Sequence, residues 1–327
     1  MRTYHRWLIL FACVTVSGLI LVSNIATAPA AEKPDAAPVS EKKAASPTIP
    51  DDLDYFPDQV YCIPDKDTKL MLDVLLPKTG KGPFPTVICL HGGGWVKGSR
   101  KTNLPLMIKL AQEGYAAVSV QYRLGSRFPA AVHDVKCAVR WLRANAAVFN
   151  LDAERFAALG YSSGGTMACL LGLTTPLDGL EGKGVFNGYP SDVQAVISYA
   201  GISDLAAWHK DGNLLARFSL ASFMGESPKE APKLYAQASP IGYARGDMAV
   251  VLMIHGTADP LVPIKQSEDM ERRLKAAKGQ VELLPIKDGG HILTGDAEKE
   301  ADAAAVKFLN ETFRSRGDEK AAKKNGR

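Results

Sequence analysis

The sequence predicts an α/β fold, in which a mostly parallel sheet of eight strands carries helices on both faces. Strand and helix signals alternate along most of the chain, as expected when helical crossovers join parallel strands. The segment Thr86–Leu90 is a short, almost entirely apolar run, which is typical of a strand buried on both faces. Two strand signals joined by the polar turn 64–67 come first, so two strands are expected before the first helix.

The individual elements follow from hydrophobic periodicity. Leu104–Glu113 is closed by Gly114 as a helix C-cap, and Val132–Ala146 carries its apolar residues at helical spacing. Residues 202–245 interrupt the alternation and predict a small insertion over the carboxyl edge of the sheet, where ligands of open α/β sheets bind. The predicted strands are Gln59–Ile63, Leu70–Leu76, Thr86–Leu90, Ala116–Gln121, Phe156–Leu159, Val193–Tyr199, Val250–Ile254 and Val281–Ile286. The other predicted helices are Gly164–Leu173, Lys265–Ala277 and Ala297–Phe313.

The N-terminal segment, residues 1–30, has the features of a secretory signal peptide. Arg2 and Arg6 precede the nearly unbroken apolar run Trp7–Val22, and residues 28–30 offer small side chains for cleavage. An uncleaved membrane anchor is the alternative, but the run of about 16 residues is shorter than the ~20 that span a bilayer. The sequence therefore predicts an exported protein, periplasmic or extracellular, that contacts a membrane only if this segment is retained.

Composition divides the rest of the chain into a flexible linker at 31–50, one globular domain at 51–315 and a disordered basic tail at 316–327. The net charge of +4 is small and concentrated at the chain ends, so no nucleic-acid partner is expected. The oligomeric state is left open. Beyond the signal, the widely spaced cysteines favour buried thiols over disulfides, and without a C-x-x-C pair they predict no metal site; they are Cys62, Cys89, Cys137 and Cys169.

The first chemical motif is a serine between glycines, at 160–165, directly after a predicted strand and before a predicted helix. A G-x-S-x-G turn in this context holds the serine on a sharp elbow with its oxygen exposed. The helix N-terminus would also stabilise negative charge that develops beside it. Ser162 is the predicted nucleophile, because the adjacent Ser163 stands away from the centre of the elbow. A glycine- and serine-rich loop without chemistry is the alternative.

The second motif is a run of glycines, His91-Gly92-Gly93-Gly94-Trp95, which follows the third predicted strand. Consecutive glycines allow backbone N–H groups to converge on one point. One or two of these amides, together with the N–H of Ser163, would form an oxyanion hole. His91 is predicted to be structural. No phosphate-binding loop is predicted, since no G-K-[ST] follows, and no cofactor is expected.

The third motif supplies an acid and a base. Asp259 and His291 follow the seventh and eighth predicted strands, at the same sheet edge as Ser162. Ser162, Asp259 and His291 stand in a chain order that is known for Ser-His-Asp triads. His291 would take the serine proton, while Asp259 would fix its tautomer and stabilise the imidazolium. Asp288, three residues before His291, is the alternative orienting carboxylate.

Together these motifs resemble bacterial α/β-hydrolases of the carboxylesterase type. The sequence is similar to the BD-FAE group, which includes acetyl xylan esterases and feruloyl-esterase-like enzymes, and to kynurenine formamidase. The resemblance spans about residues 55–315 and rests on HGGGW at 91–95, GYSSGG at 160–165, HGTADPLVP at 255–263 and GGH at 289–291. It implies that Ser162, Asp259 and His291 are catalytic. It also implies that Gly93, Gly94 and Ser163 donate to the oxyanion, although many relatives carry alanine where this chain has Ser163.

These observations predict an exported serine carboxylesterase that hydrolyses short-chain esters, above all acetyl esters, of small molecules or polysaccharides. An amidase, formamidase or peptidase with the same triad is the second hypothesis, although a metabolic amidase would not need an export signal. A non-catalytic binding protein of the same fold is the third, and the intact triad argues against it. The insertion lacks the long apolar run of a lipase lid, which favours short acyl groups.

Overall fold

The computed structural model describes residues 48–325. The predicted signal peptide at 1–30 and the linker up to residue 47 lie outside the described residues. Within the described range, no helix is both long and apolar enough to cross a membrane.

An eight-stranded sheet forms the centre of the described chain, in the order β1-β2-β4-β3-β5-β6-β7-β8. β1 pairs with β2 and β2 with β4 in antiparallel fashion, whereas all other neighbours are parallel. The predicted eight-stranded, mostly parallel sheet is therefore confirmed. The strands are β1 (Leu53–Asp65), β2 (Thr68–Pro77), β3 (Phe84–Leu90), β4 (Ala116–Val120), β5 (Leu151–Tyr161), β6 (Ala195–Tyr199), β7 (Val250–Gly256) and β8 (Val281–Ile286).

Helices cover both faces of the sheet because each buries an apolar stripe against it. Leu110 and Leu309, from the first and last helices, lie in one hydrophobic core. Val135, Leu171 and Met270 lie in the core on the opposite face. The four cysteines described are free thiols. The helices are α1 (Leu104–Gln112), α2 (Ala130–Ala144), α3 (Ser163–Leu173), α4 (Leu205–Asp211), α5 (Leu214–Met224), α6 (Pro232–Ala238), α7 (Lys265–Ala276) and α8 (Asp296–Asn325).

Several element boundaries differ from the sequence-based expectation, and two of them, the start of β1 and the end of α8, differ by six residues or more. β1 begins at Leu53 rather than Gln59, because an edge strand tolerates Pro57 and an irregularity in register between Phe56 and Gln59. The last helix continues to Asn325, so the expected disordered tail from residue 316 is wrong. Residues 316–325 contain no proline, and six of the ten are alanine, lysine or glutamate, which are strong helix formers. The insertion consists of α4, α5 and α6 with short connections, as predicted.

Candidate active site

Ser162 stands between β5 and α3, with backbone angles of φ 53° and ψ −118°. A non-glycine residue adopts positive φ only where the surroundings impose it. Close packing imposes it here, since a Cβ on Gly160 would lie 2.2 Å from the carbonyl oxygen of Gly164. A Cβ on Gly164 would lie 2.3 Å from the carbonyl oxygen of Leu90. The sharp turn therefore requires both glycines and holds Ser162 at the carboxyl edge of the sheet.

The glycine loop after β3 packs directly against this elbow. A Cβ on Gly92 would lie 3.0 Å from the carbonyl oxygen of Tyr161. Gly93 and Gly94 have φ of 121° and 62°, values that residues other than glycine rarely adopt. Within residues 48–325, no protein acceptor pairs with the backbone N–H of Gly93, Gly94 or Ser163. These three donors are therefore available to a bound oxyanion.

Two aromatic contacts hold the glycine loop in place. His91 is buried and its ring stacks on Tyr122 with a centroid distance of 4.3 Å. The Tyr122 hydroxyl also donates to the carbonyl oxygen of His91 at 2.8 Å. Trp95 stacks on Phe223 of α5 at 4.2 Å, so the insertion supports the loop from the other side. His91 thus packs beneath the loop, in keeping with a structural role.

The loops after β7 and β8 dock on each other through their backbones. A Cβ on Gly256 would lie 2.2 Å from the carbonyl oxygen of Gly289, so only glycine permits this approach. The N–H of Ala258 donates to that oxygen at 2.9 Å. The N–H of Asp288 donates to the hydroxyl of Thr257 at 2.8 Å. Asp259 and His291, which follow on these two loops, are consequently held as one unit.

Asp259 accepts a hydrogen bond from Nδ1 of His291 at 2.7 Å through Oδ2. Its Oδ1 accepts from the N–H groups of Leu261 at 2.8 Å and Val262 at 2.9 Å. The Asp259 side chain is 0% exposed and that of His291 17%. Burial alone would raise the pKa of Asp259, but contacts from His255, His291 and the Val262 N–H hold it well below its usual range. The carboxylate is therefore ionised, and the Nδ1–H it accepts leaves Nε2 of His291 free to take a proton.

Asp259 is hydrogen-bonded to His291. In the described part of the chain, no hydrogen bond links Ser162 to His291. Hydrogen bonds of this kind are often long in a free enzyme and tighten when substrate binds. Asp288 has an exposed side chain and does not bond to His291. The described residues contain no group of three or more His, Cys, Asp or Glu placed to hold a metal ion.

Sequence reasoning missed His255 as a site residue. Its Nε2 lies 3.3 Å from Oδ2 of Asp259, and both side chains are 0% exposed. The available signal was its position at the end of the buried strand β7, four residues before Asp259.

A cavity of about 780 Å³ lies at the opposite edge of the sheet, where Gln194 and Ala249 precede β6 and β7, and is not part of this site.

The strand order and the serine elbow at the carboxyl edge place the chain among the α/β-hydrolases. Within that class it belongs to the BD-FAE family, whose model matches residues 72–274. It is 31% identical over 246 residues to the esterase LipC of Mycobacterium tuberculosis, a match that covers 72% of this chain. The chain spans 46% to 60% of the length of the mycobacterial relatives LipC, LipQ and LipM.

Solved structures of esterases are also similar. A truncated carbohydrate esterase from gut microbiota superposes with a TM-score of 0.73 at 26% identity, covering 79% of this chain and 96% of its own. The propionate-bound esterase Est2 of Thermogutta terrifontis superposes with a TM-score of 0.66 at 25% identity, covering 81% and 96%.

Proposed function

We propose that this protein is an exported serine carboxylesterase that removes short acyl groups, chiefly acetyl, from small molecules or polysaccharides. The observation that carries the proposal is the hydrogen bond from His291 to the buried Asp259 carboxylate, at the sheet edge where Ser162 occupies its positive-φ elbow. A binding protein would gain nothing from an ionised carboxylate that orients an imidazole at the sheet edge that also carries the half-buried Ser162. The esterases among its relatives support the same chemistry.

The reaction proceeds in two steps on these residues. The Ser162 oxygen attacks the ester carbonyl carbon while its proton passes to Nε2 of His291, and the oxyanion binds the N–H groups of Gly93, Gly94 and Ser163. The bond to the alcohol then breaks, and the alcohol leaves with the proton from His291. Water attacks the acyl-enzyme with His291 again as base, which releases the carboxylic acid and restores the serine.

The insertion supports the short-acyl part of the proposal. α5 packs Phe223 on Trp95, so the insertion is a wall fixed to the glycine loop rather than a separate cover. The cavity described above lies away from Ser162 and offers no acyl tunnel to it. The similar esterase Est2 holds propionate, a short acid. The similar structure from gut microbiota is that of a carbohydrate esterase, which supports a carbohydrate ester as the substrate.

Export is proposed from the sequence of residues 1–30, a basic start followed by an apolar run and small residues. Fractionation of cells that make the full chain tests it directly. A periplasmic or culture-fluid pool with a shortened N-terminus is expected. Recovery of the full-length chain in the membrane fraction would support the anchored alternative instead.

Hydrolysis of p-nitrophenyl acetate by the full chain, with the Ser162→Ala variant as control, tests the esterase proposal. Release of acetate from acetylated xylan should exceed turnover of N-formylkynurenine. Faster cleavage of N-formylkynurenine would favour the amidase hypothesis. No difference between parent and variant on any of these substrates would favour a binding protein.

A further inference from the structure

A second histidine lies behind the Asp259–His291 pair, and the mechanism above leaves it without a role. His255 is the penultimate residue of β7 and is 0% exposed. Its Nε2 lies 3.3 Å from Oδ2 of Asp259, the same oxygen that accepts the hydrogen bond from His291. One carboxylate oxygen therefore faces two imidazoles.

The hydrogen bonds of His255 define its protonation. Its Nε2 lies 2.8 Å from the carbonyl oxygen of Val262, which can only accept, so Nε2 carries the hydrogen. Its Nδ1 lies 2.7 Å from the hydroxyl of Ser267 on α7, which donates to it. The ring is thus held from both sides in one tautomer, with its N–H edge toward Val262 and Asp259.

We propose that His255 is a positioning residue that fixes the Asp259 carboxylate and thereby sets the pH at which His291 becomes a competent base. The inference rests on the proposed esterase function. The N–H dipole of His255 partly neutralises Oδ2, which would otherwise hold the His291 imidazolium more tightly. Among residues 48–325, the backbone N–H groups of Leu261 and Val262 also donate to the Asp259 carboxylate, and the exposed carboxylate of Asp288 stands three residues before His291.

The sign of the effect follows from charge. Without the N–H of His255, Oδ2 is more negative and favours protonated His291. The acid limb of kcat/KM, on which activity is lost as pH falls, should therefore move to higher pH. A residue that served only to pack β7 would change the rate at every pH without moving this limb.

Two substitutions remove the N–H with different effects on packing. His255→Asn is smaller than the imidazole, whereas His255→Phe fills its volume. Both should move the acid limb upward by about half a unit to one unit, with kcat reduced and KM near that of the parent. His255→Gln places an amide nitrogen near the position of Nε2 and should restore the parent limb. His133→Asn on α2 is the matched histidine control, and it should change neither the pH of the acid limb nor kcat.

An acid limb in both removal variants that coincides with that of the parent would overturn the proposal, as would a rate loss that glutamine does not rescue. Titration of nitrogen-15-labelled histidines by NMR in a Ser162→Ala background reads His291 without turnover. It therefore separates failure of this proposal from failure of the esterase function. In the unsubstituted chain, His255 should keep its Nε2–H tautomer while His291 titrates. A His255 signal that shows the Nδ1–H tautomer would contradict the proposal even if the removal variants do not fold.

Discussion

Replacing Asp259 by asparagine should disable the base while leaving the fold almost unchanged. The N–H groups of Leu261 and Val262 both donate to Oδ1, so an asparagine would keep its carbonyl oxygen there and turn its NH2 toward His291. A donor opposite Nδ1 selects the tautomer that carries its hydrogen on Nε2. That nitrogen could no longer accept the proton of Ser162.

The loss should be large, because the wrong tautomer removes proton transfer altogether rather than weakening it. The same change in a serine-protease triad lowers kcat by about 10⁴, which corresponds to roughly 5 kcal/mol in the barrier. Asp288→Asn is the matched control, since Asp288 is exposed and its φ of 55° is one that asparagine tolerates. We expect the control to lie within about twofold of the parent.

The assay is hydrolysis of p-nitrophenyl acetate, with kcat/KM measured over roughly pH 5 to 9. The pKa of Asp259 is held well below its usual range, so this carboxylate stays ionised and the acid limb of the parent reports protonation of His291. Activity of Asp259→Asn within about tenfold of the parent would refute the reasoning. A large loss in Asp288→Asn with a mild one in Asp259→Asn would transfer the orienting role to Asp288. Unchanged melting temperatures would show that neither result comes from unfolding.

Three further predictions concern the nucleophile, the oxyanion hole and the acyl group. Ser162→Ala should abolish turnover without unfolding the protein, and activity of this variant near that of the parent would remove Ser162 from the mechanism. Ser163→Ala should keep most activity, because only the backbone N–H of this residue is used. Gly93→Ala would place a Cβ 2.0 Å from the carbonyl oxygen of Lys97 at a φ of 121°, so the loop must shift. Its kcat at saturating substrate should fall by about 10² or more, and a smaller loss would argue against Gly93 as an oxyanion donor. The acetyl ester should be hydrolysed faster than the palmitoyl ester, and the reverse order would contradict the short-acyl proposal.

The sequence predicts the strands of this sheet well where burial selects continuous apolar runs. β8 was expected at Val281–Ile286 and has those bounds. The start of β5 at Leu151 was missed, because the first residues at the amino end of this central strand include polar, partly exposed side chains and do not form a continuous apolar run. The end of α8 was missed for a related reason, since its apolar spacing fades after Phe313 while its backbone stays helical to Asn325.

The candidate site could be proposed from the sequence where its residues stand in local motifs. Ser162, Asp259 and His291 each stand in a short motif that directly follows the end of one strand, and their order along the chain is known for such triads. The contact of His255 with Asp259 could not be predicted, because it depends on how Ser267 of α7 packs under the loop after β7. The spacing of four residues places His255 and Asp259 at the end of the same strand but does not encode the contact between their side chains.

The stacking of Trp95 on Phe223 has a consequence for hybrid enzymes. The insertion and the glycine loop interlock, since a Cβ on Gly94 would also lie 2.6 Å from the hydroxyl of Ser219 on α5. A chimera that receives α4 to α6 from a relative with a different substrate range would therefore bring a foreign surface against the glycine loop, which carries the proposed oxyanion donors. The insertion should therefore be exchanged together with residues 91–95. A graft of either part alone should leave the glycine loop and α5 poorly packed against each other.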